Sequence, residues 1–493
     1  MKKITLLLAI LLSFYTVLSQ SEKEKVQATV NKNKIEGHIY FLTDDLLMGR
    51  ETGTNENKIA ASYLANTLRS YGVKPNPQTG TYYQEVTLQK ITPARKVFLK
   101  INGEEYKYKV VLKAVKIDFT GQGVYVGYGL KDDYKDQNVM EKFVIIKAGS
   151  PDDLSTRAAF RLRKQKEELA LKKGAIGIIE LIKTDAKTWS FIEHNFMNDR
   201  MEIAYPEKKS DKKIRFAYLW LYDEYGSFAL NLESKRSVNL KLLLEGEKKV
   251  SVISQNVIGV VEGTDPILKN EYIIYSAHYD HVGIGTPDES GDTIYNGARD
   301  NAIGTTTVLS MAENIAKYPT KRSALFILFT GEEKGLLGSK YYVENPVIQL
   351  NQMVFCFNSD NGGYNDTSLV TIIGLNRTTA SQNIKDAVST FGLIAIDDPA
   401  PEQGLFDRSD NVNFAKKGIP APTFSLGFSS FDGDVTKYYH KPGDEADTLD
   451  YDYLLKFFSA YVLSGRIIAN DSNTPFWTEG DKYEIDGKKL YNN

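Results

Sequence analysis

Seven acidic and imidazole side chains in the second half of this chain have the types and the order of a two-metal hydrolytic site. His278 and Asp280 lie in "SAHYDHVG", Asp300 in "NGARDNAIG", Glu332 and Glu333 in "TGEEKGLLGS", Asp360 in "FNSDNGG" and His440 in "KYYHKPGDEAD". Imidazole and carboxylate donors without thiolates suit zinc in a hydrolytic centre, with cobalt or manganese as substitutes. Two cations about 3.5–4 Å apart need a carboxylate between them and can hold a hydroxide at neutral pH. Asp300 is the natural bridge, in a Gly-flanked loop before a helix whose backbone N–H groups would hold its carboxylate still. Asp280 follows His278 by two positions, so on an extended strand end both side chains point the same way. Its carboxylate could then accept the far ring N–H of His278 and fix the tautomer. Neighbours on a loop diverge, so one of Glu332 and Glu333 can bind metal while the other serves as general base.

Each residue also has an ordinary reading. An aspartate before a helix usually caps it, and a glutamate pair on a loop usually faces solvent. His281, His38 and His194 read as structural hydrogen-bonders, and Asp410 in "DRSDNVNF" as a pocket wall or a structural carboxylate. What favours the site is that all the candidates occur in order and on the right elements.

Those elements alternate from Gln255 onward. Strands are expected at 256–261, 272–277, 324–329, 353–358, 369–373 and 423–426, and helices at 302–317, 336–344, 380–391 and 453–469. Such alternation specifies α/β architecture, a three-layer sandwich around a mainly parallel sheet. Ligands gather at the carboxyl ends of strands in these folds, and His278, the Glu332-Glu333 pair and Asp360 each follow an expected strand. A helix is expected over 55–71, stopped by Gly72. Between about 99 and 250 the texture changes to short apolar runs bounded by Gly or charge, with one charged helix at 157–173, which reads as an inserted, mostly β domain. The domain plan is therefore 1–19 leader, 20–98 first part of the catalytic domain, 99–250 insert, 251–470 catalytic domain and 471–493 tail.

At 493 residues there is ample chain for a large core. A formal net charge of -2 advertises no basic face, so no nucleic-acid partner is expected. Lys2 and Lys3 precede an apolar run from Ile4 to Val17, short for a membrane span and followed by polar "SEKEK". This pattern implies export, an extracytoplasmic location and no stable membrane insertion once the leader is removed. Cys356, inside "MVFCFN", is the only cysteine and reads as a buried small hydrophobe.

In the motifs "AHYDHVG", "GARDNAIGTTTVLSMAE", "FTGEEKGLLGS" and "YYHKPGDEAD" the chain resembles the dinuclear zinc aminopeptidases. Their relatives include glutamate carboxypeptidase, glutaminyl cyclase and the transferrin receptor. The resemblance covers about 255–470 together with "LLMGRETGT" and the helix after it. It implies two zinc ions, one held by His278 and Asp360, the other by Glu333 and His440, with Asp300 bridging. It also implies Glu332 as general base, Tyr439 as a phenol stabilising the tetrahedral oxyanion, and a protease-associated domain at 99–250. At Tyr439 a core or wall role stays open, because Tyr438 is adjacent. The expected function is a secreted metallo-exopeptidase acting on peptide substrates, in first place an aminopeptidase. A carboxypeptidase or dipeptidase of the same family, and a receptor-like binding protein without catalysis, are the alternatives.

Overall fold

The computed structural model describes residues 20–205 and 216–492. The expected leader at 1–19 lies outside them. Among the described residues no helix is long and apolar enough to cross a membrane. Contacts divide the chain into two units: one combines residues up to Thr87 with those from Ile253 onward, and the other is Leu88–Val252.

The first unit is built on strands β1 (Tyr83–Thr92), β2 (Lys248–Val261), β3 (Tyr272–His278), β4 (Ser323–Phe329), β5 (Met353–Ser359), β6 (Leu369–Ile373), β7 (Ile394–Asp397) and β8 (Thr423–Leu426). Their spatial order is β7-β6-β8-β5-β3-β4-β2-β1. The four central strands, β4, β3, β5 and β8, are parallel. β2 runs antiparallel to β4, and β6 antiparallel to β8. The sheet is therefore mixed, parallel through its centre as expected and antiparallel where β2 and β6 join it. The reason at β2 is the connection: residues 262–271 join it to β3 without the long crossover that a parallel return requires.

Alternation along the central strands fills two cores. Ile273, Tyr275 and Ala277 of β3, with Ala324, Phe326 and Leu328 of β4, face one core. Ile274, with Leu325, Ile327 and Phe329, faces the other. Helices α1 (Glu22–Gln27), α2 (Lys32–Leu42), α3 (Asn55–Ser70), α4 (Gly304–Lys317), α6 (Ser381–Ser389) and α8 (Tyr451–Asn470) cover the first face. Helices α5 (Leu337–Glu344), α7 (Asn411–Ala415) and α9 (Glu484–Tyr491) cover the second. These are the three layers. Of the stretch 471–493, expected as a tail, the described residues 471–492 fold back as part of this unit: Trp477 is buried with its Nε1 donating to Gly418 O at 2.9 Å, and Tyr491 Oη donates to Met353 O at 2.6 Å.

The second unit holds an eight-stranded sheet. Strands Ile117–Tyr125, Phe143–Lys147, Gly177–Ile182 and Ala217–Tyr222 form a parallel centre. Helices Thr156–Lys172, Ala186–Met197 and Ser227–Lys235 accompany it. It is thus α/β in character, where only one helix was expected. The short amphipathic stretches at 186–197 and 227–235 lie among apolar strand-like runs that mask a helical period.

Candidate metal centre

Because β3, β4 and β5 are parallel and in register, with His278 opposite Phe329, their carboxyl ends share one edge of the sheet. His278 is the last residue of β3, the Glu332-Glu333 pair follows β4, and Asp360 follows β5. Asp300 comes from the turn Ala298–Ile303, which runs into α4. Two glycines make this turn possible. Gly297 has φ 59°, and a Cβ there would meet the His281 ring at 2.6 Å and Asp300 O at 2.3 Å. At Gly304 a Cβ would meet Asn301 Oδ1 at 2.3 Å and Ser359 O at 2.4 Å. His440 enters from the loop before α8 with φ 50°, a strained conformation for a residue other than glycine.

The donors converge in two groups that share Asp300: His278, Asp300 and Asp360 in one, and His281, Asp300, Glu333 and His440 in the other. His278 Nε2 lies 3.3 Å from Asp300 Oδ1 and 3.2 Å from Asp360 Oδ1. His440 Nε2 lies 3.1 Å from Asp300 Oδ2 and 3.2 Å from Glu333 Oε2. It makes hydrogen-bond geometry with neither, although it is buried. Atoms that approach one another without bonding aim at a shared point, as ligands of an ion do. The charges agree. Buried or part-buried carboxylates of Asp280, Asp300, Glu332, Glu333, Asp360 and Asp410 outnumber the imidazoles of His278, His281 and His440, so the cluster lacks positive charge. Burial alone would lower the pKa of His440, but Asp300 and Glu333 outweigh it and raise the imidazole to about 10. The residues present thus fit a divalent cation such as zinc, with Asp300 common to both donor groups.

Asp280 has a different contact from the one expected. Its carboxylate is 3.9 Å from His278 Nδ1, whereas the backbone carbonyl of the same residue is 3.1 Å from that nitrogen. The carbonyl can only accept, so Nδ1 carries the proton and Nε2 keeps its lone pair toward the carboxylates. The fully buried carboxylate instead accepts from Thr52 Oγ1 at 2.8 Å and from the backbone N–H groups of Glu332 and Glu333 at 3.2 and 3.3 Å. It anchors the loop of the two glutamates. Two residues on from a strand end the chain has already left the strand, so the side-chain alternation no longer holds.

The Asp300 loop likewise differs in detail. Among the described residues no backbone N–H donates to the Asp300 carboxylate; the main-chain N–H of Asp300 donates instead to Asp444 Oδ2 at 3.3 Å. Asp444 also accepts from Arg299 N and Nη1, each at 2.9 Å. Tyr438 lies under the Arg299 guanidinium at 4.0 Å, a structural position. Tyr439 stacks on His440 with centroids 4.0 Å apart and lines the cavity. Burial, then the charges of Asp300 and Glu333, raise the pKa of its phenol, so it stays protonated.

His281, read from the sequence as a structural hydrogen-bonder, stands in the second donor group, while Arg50 and Asp444 had no reading at all. His281 Nδ1 is 2.8 Å from Glu333 Oε1 while its Nε2 is buried without a partner. Arg50, fully buried, donates to the carbonyls of Tyr279 at 2.9 Å, Asn296 at 2.6 Å and Gly297 at 3.2 Å, and also to Leu42 O. It ties "LLMGRETGT" to the segment after His278 and to the turn that carries Asp300. Only the closeness of His281 to His278 and of Asp444 to His440 in the motifs could have suggested them; nothing local marks Arg50. Asp410 is not a wall residue: it is fully buried, neither oxygen has a hydrogen-bond partner, and burial pushes its pKa to about 7. Arg408 and Ser409 line the cavity in its place. His38 has the structural role expected, between Tyr63 Oη at 2.7 Å and Tyr71 Oη at 2.9 Å.

Residues 256–463, which carry all of these donors, match the model of Peptidase family M28. The chain is similar to aminopeptidase YwaD of Bacillus subtilis, 29% identical over 205 residues, 41% of this chain and 42% of that protein. It is also similar to a probable leucine aminopeptidase 2 of Aspergillus oryzae, 23% identical over 395 residues, 76% of this chain and 72% of the relative. The match thus spans less than half of the Bacillus protein. Among solved structures, an aminopeptidase from Aneurinibacillus sp. strain AM-1 shares the fold, with a TM-score of 0.59 at 22% identity over 92% of this chain and 97% of that one.

Proposed function

We propose that the chain is a secreted metallo-exopeptidase of the aminopeptidase type, which removes N-terminal residues from peptides with two zinc ions. The observation that carries this reading is the pair of donor groups sharing Asp300 with Glu332 beside them on the cavity wall. His278 and Asp360 would hold one ion, Glu333 and His440 the other, and Asp300 both. The zinc ions would supply Lewis acidity, polarising a peptide carbonyl and making a water acidic near neutral pH.

Glu332 belongs to neither donor group and faces the cavity, which is where a base must stand to take a proton from water and hand it to the leaving amine. Burial, reinforced by Asp360, Asp410 and Glu333, raises its pKa well above the ordinary carboxylate range, as suits a group that both accepts and returns a proton. The Tyr439 phenol would donate to the oxygen that becomes negative. Asp280 keeps the glutamate loop in place through its two backbone N–H groups. The unit Leu88–Val252 stands where the resemblance puts a protease-associated domain, and it is proposed as one.

The test is a substrate panel. Aminoacyl-nitroanilides should be hydrolysed, chelation should abolish the activity, and zinc or cobalt should restore it. Activity confined to N-blocked peptides would reject the aminopeptidase reading.

A further inference from the structure

The cavity that holds the donor groups, about 770 Å³ with its open mouth, contains one feature that metal chemistry does not use. Arg408, an exposed residue, lines its mouth, and among the described residues no hydrogen bond or ion pair engages its guanidinium. The neighbouring carboxylate cannot neutralise it, because Asp407 accepts from Lys482 Nζ at 3.1 and 3.2 Å. Arg408 also bears on Tyr439, whose phenol it acts to acidify. Around it the wall is apolar, formed by Ile373, Leu405, Phe428, Phe431 and Val435. The lining also has an acidic part, with Glu332, Glu333 and Asp360.

A free guanidinium at the mouth of such a cavity suits an anionic ligand group, and carboxylate is the anion that a peptide carries. Carboxylate would meet repulsion from the acidic side and a two-pronged, charge-assisted partner at Arg408. An apolar wall beside it would receive an aliphatic or aromatic side chain. We propose that Arg408 recognises a carboxylate on the substrate, so that the site selects short peptides combining an apolar residue with a carboxylate close to the scissile bond. This rests on the peptidase reading above and deepens it. The carboxylate has two sources, the free C-terminus of a dipeptide or an acidic side chain after the cleaved residue.

The test compares kcat/KM for Leu-Leu, Leu-Leu-amide, Leu-Glu-amide and Leu-Gln-amide in the zinc-loaded full chain and in its Arg408→Gln and Arg408→Lys variants. Both the acid-to-amide ratio and the Glu-to-Gln ratio are read. At least one should favour the carboxylate by about tenfold to a hundredfold in the natural chain, fall toward unity in Arg408→Gln and recover in part in Arg408→Lys. The larger ratio identifies the source. Ratios near unity in the natural chain, or a preference that survives Arg408→Gln, would overturn the proposal while the peptidase reading stands. No hydrolysis of any of the four peptides or of leucyl-nitroanilide would overturn both.

Discussion

Two buried charge clusters, one in each unit, have opposite characters. In the second unit Lys166 and Glu180, both with fully buried side chains, pair at 2.6 Å. Lys166 Nζ also donates to Lys147 O at 3.0 Å, while Glu180 Oε2 accepts from Tyr218 Oη at 2.8 Å and Trp220 Nε1 at 2.6 Å. Charge is balanced and every oxygen has a partner. At the sheet edge of the first unit, carboxylates outnumber imidazoles, His440 Nε2 and His281 Nε2 bond to nothing, and Asp410 is buried without a partner. A balanced cluster is complete as a structure; an unbalanced one needs something further, here cations. Burial alone does not distinguish architecture from chemistry. The remaining valence does.

The contrast can be broken most severely at Asp300. Asp300→Asn should lose zinc and reduce turnover at least about a thousandfold, measured by metal content and nitroanilide hydrolysis. At the balanced cluster, Lys166→Met leaves Glu180 buried and uncompensated, and should destabilise by about 3–5 kcal/mol in denaturant titration. Lys166→Met combined with Glu180→Leu should regain much of that loss. Asp280→Asn sharpens the comparison within the site, since the residue supports the glutamate loop. It should lower activity by about 10–100-fold with the fold intact by circular dichroism.

The smallest effect belongs to His38, a histidine that is already satisfied. Burial, aided by Lys34, lowers its pKa to about 4. A depressed folded value means that the unfolded chain binds the proton first as pH falls. Its contribution is therefore complete above about 6.5 and is lost as pH drops through about 4. His38→Gln should remove on the order of 1–2 kcal/mol of the acid-side slope of stability between those values, read from unfolding midpoints.

Much of this organisation was legible because it is local. Strand expectations at 369–373 and 423–426 coincide with β6 and β8, and the helix expected at 336–344 with α5, because apolar runs and glycine stops are properties of short segments. Strands bearing donors at their ends could be named for the same reason. What could not be read depends on partners distant in sequence. Asp280 points at the glutamate loop rather than at His278, and Asp444 holds the Asp300 turn from 144 residues away. The mixed sheet follows from which strands become neighbours, which no single segment encodes. Asp410 is buried while Arg408 and Ser409 line the cavity, because the local backbone before the helix Asn411–Ala415, not composition, decides which side chain faces it.

In the proposed chemistry the unbalanced cluster binds zinc and leaves Glu332 free to move protons. Glu332→Gln tests it most directly, with zinc per chain and leucyl-nitroanilide turnover measured on the same preparation. About two zinc ions should be retained and turnover reduced by about a hundredfold to ten-thousandfold. Undiminished turnover would contradict the assignment of the base, and loss of zinc would make Glu332 a ligand.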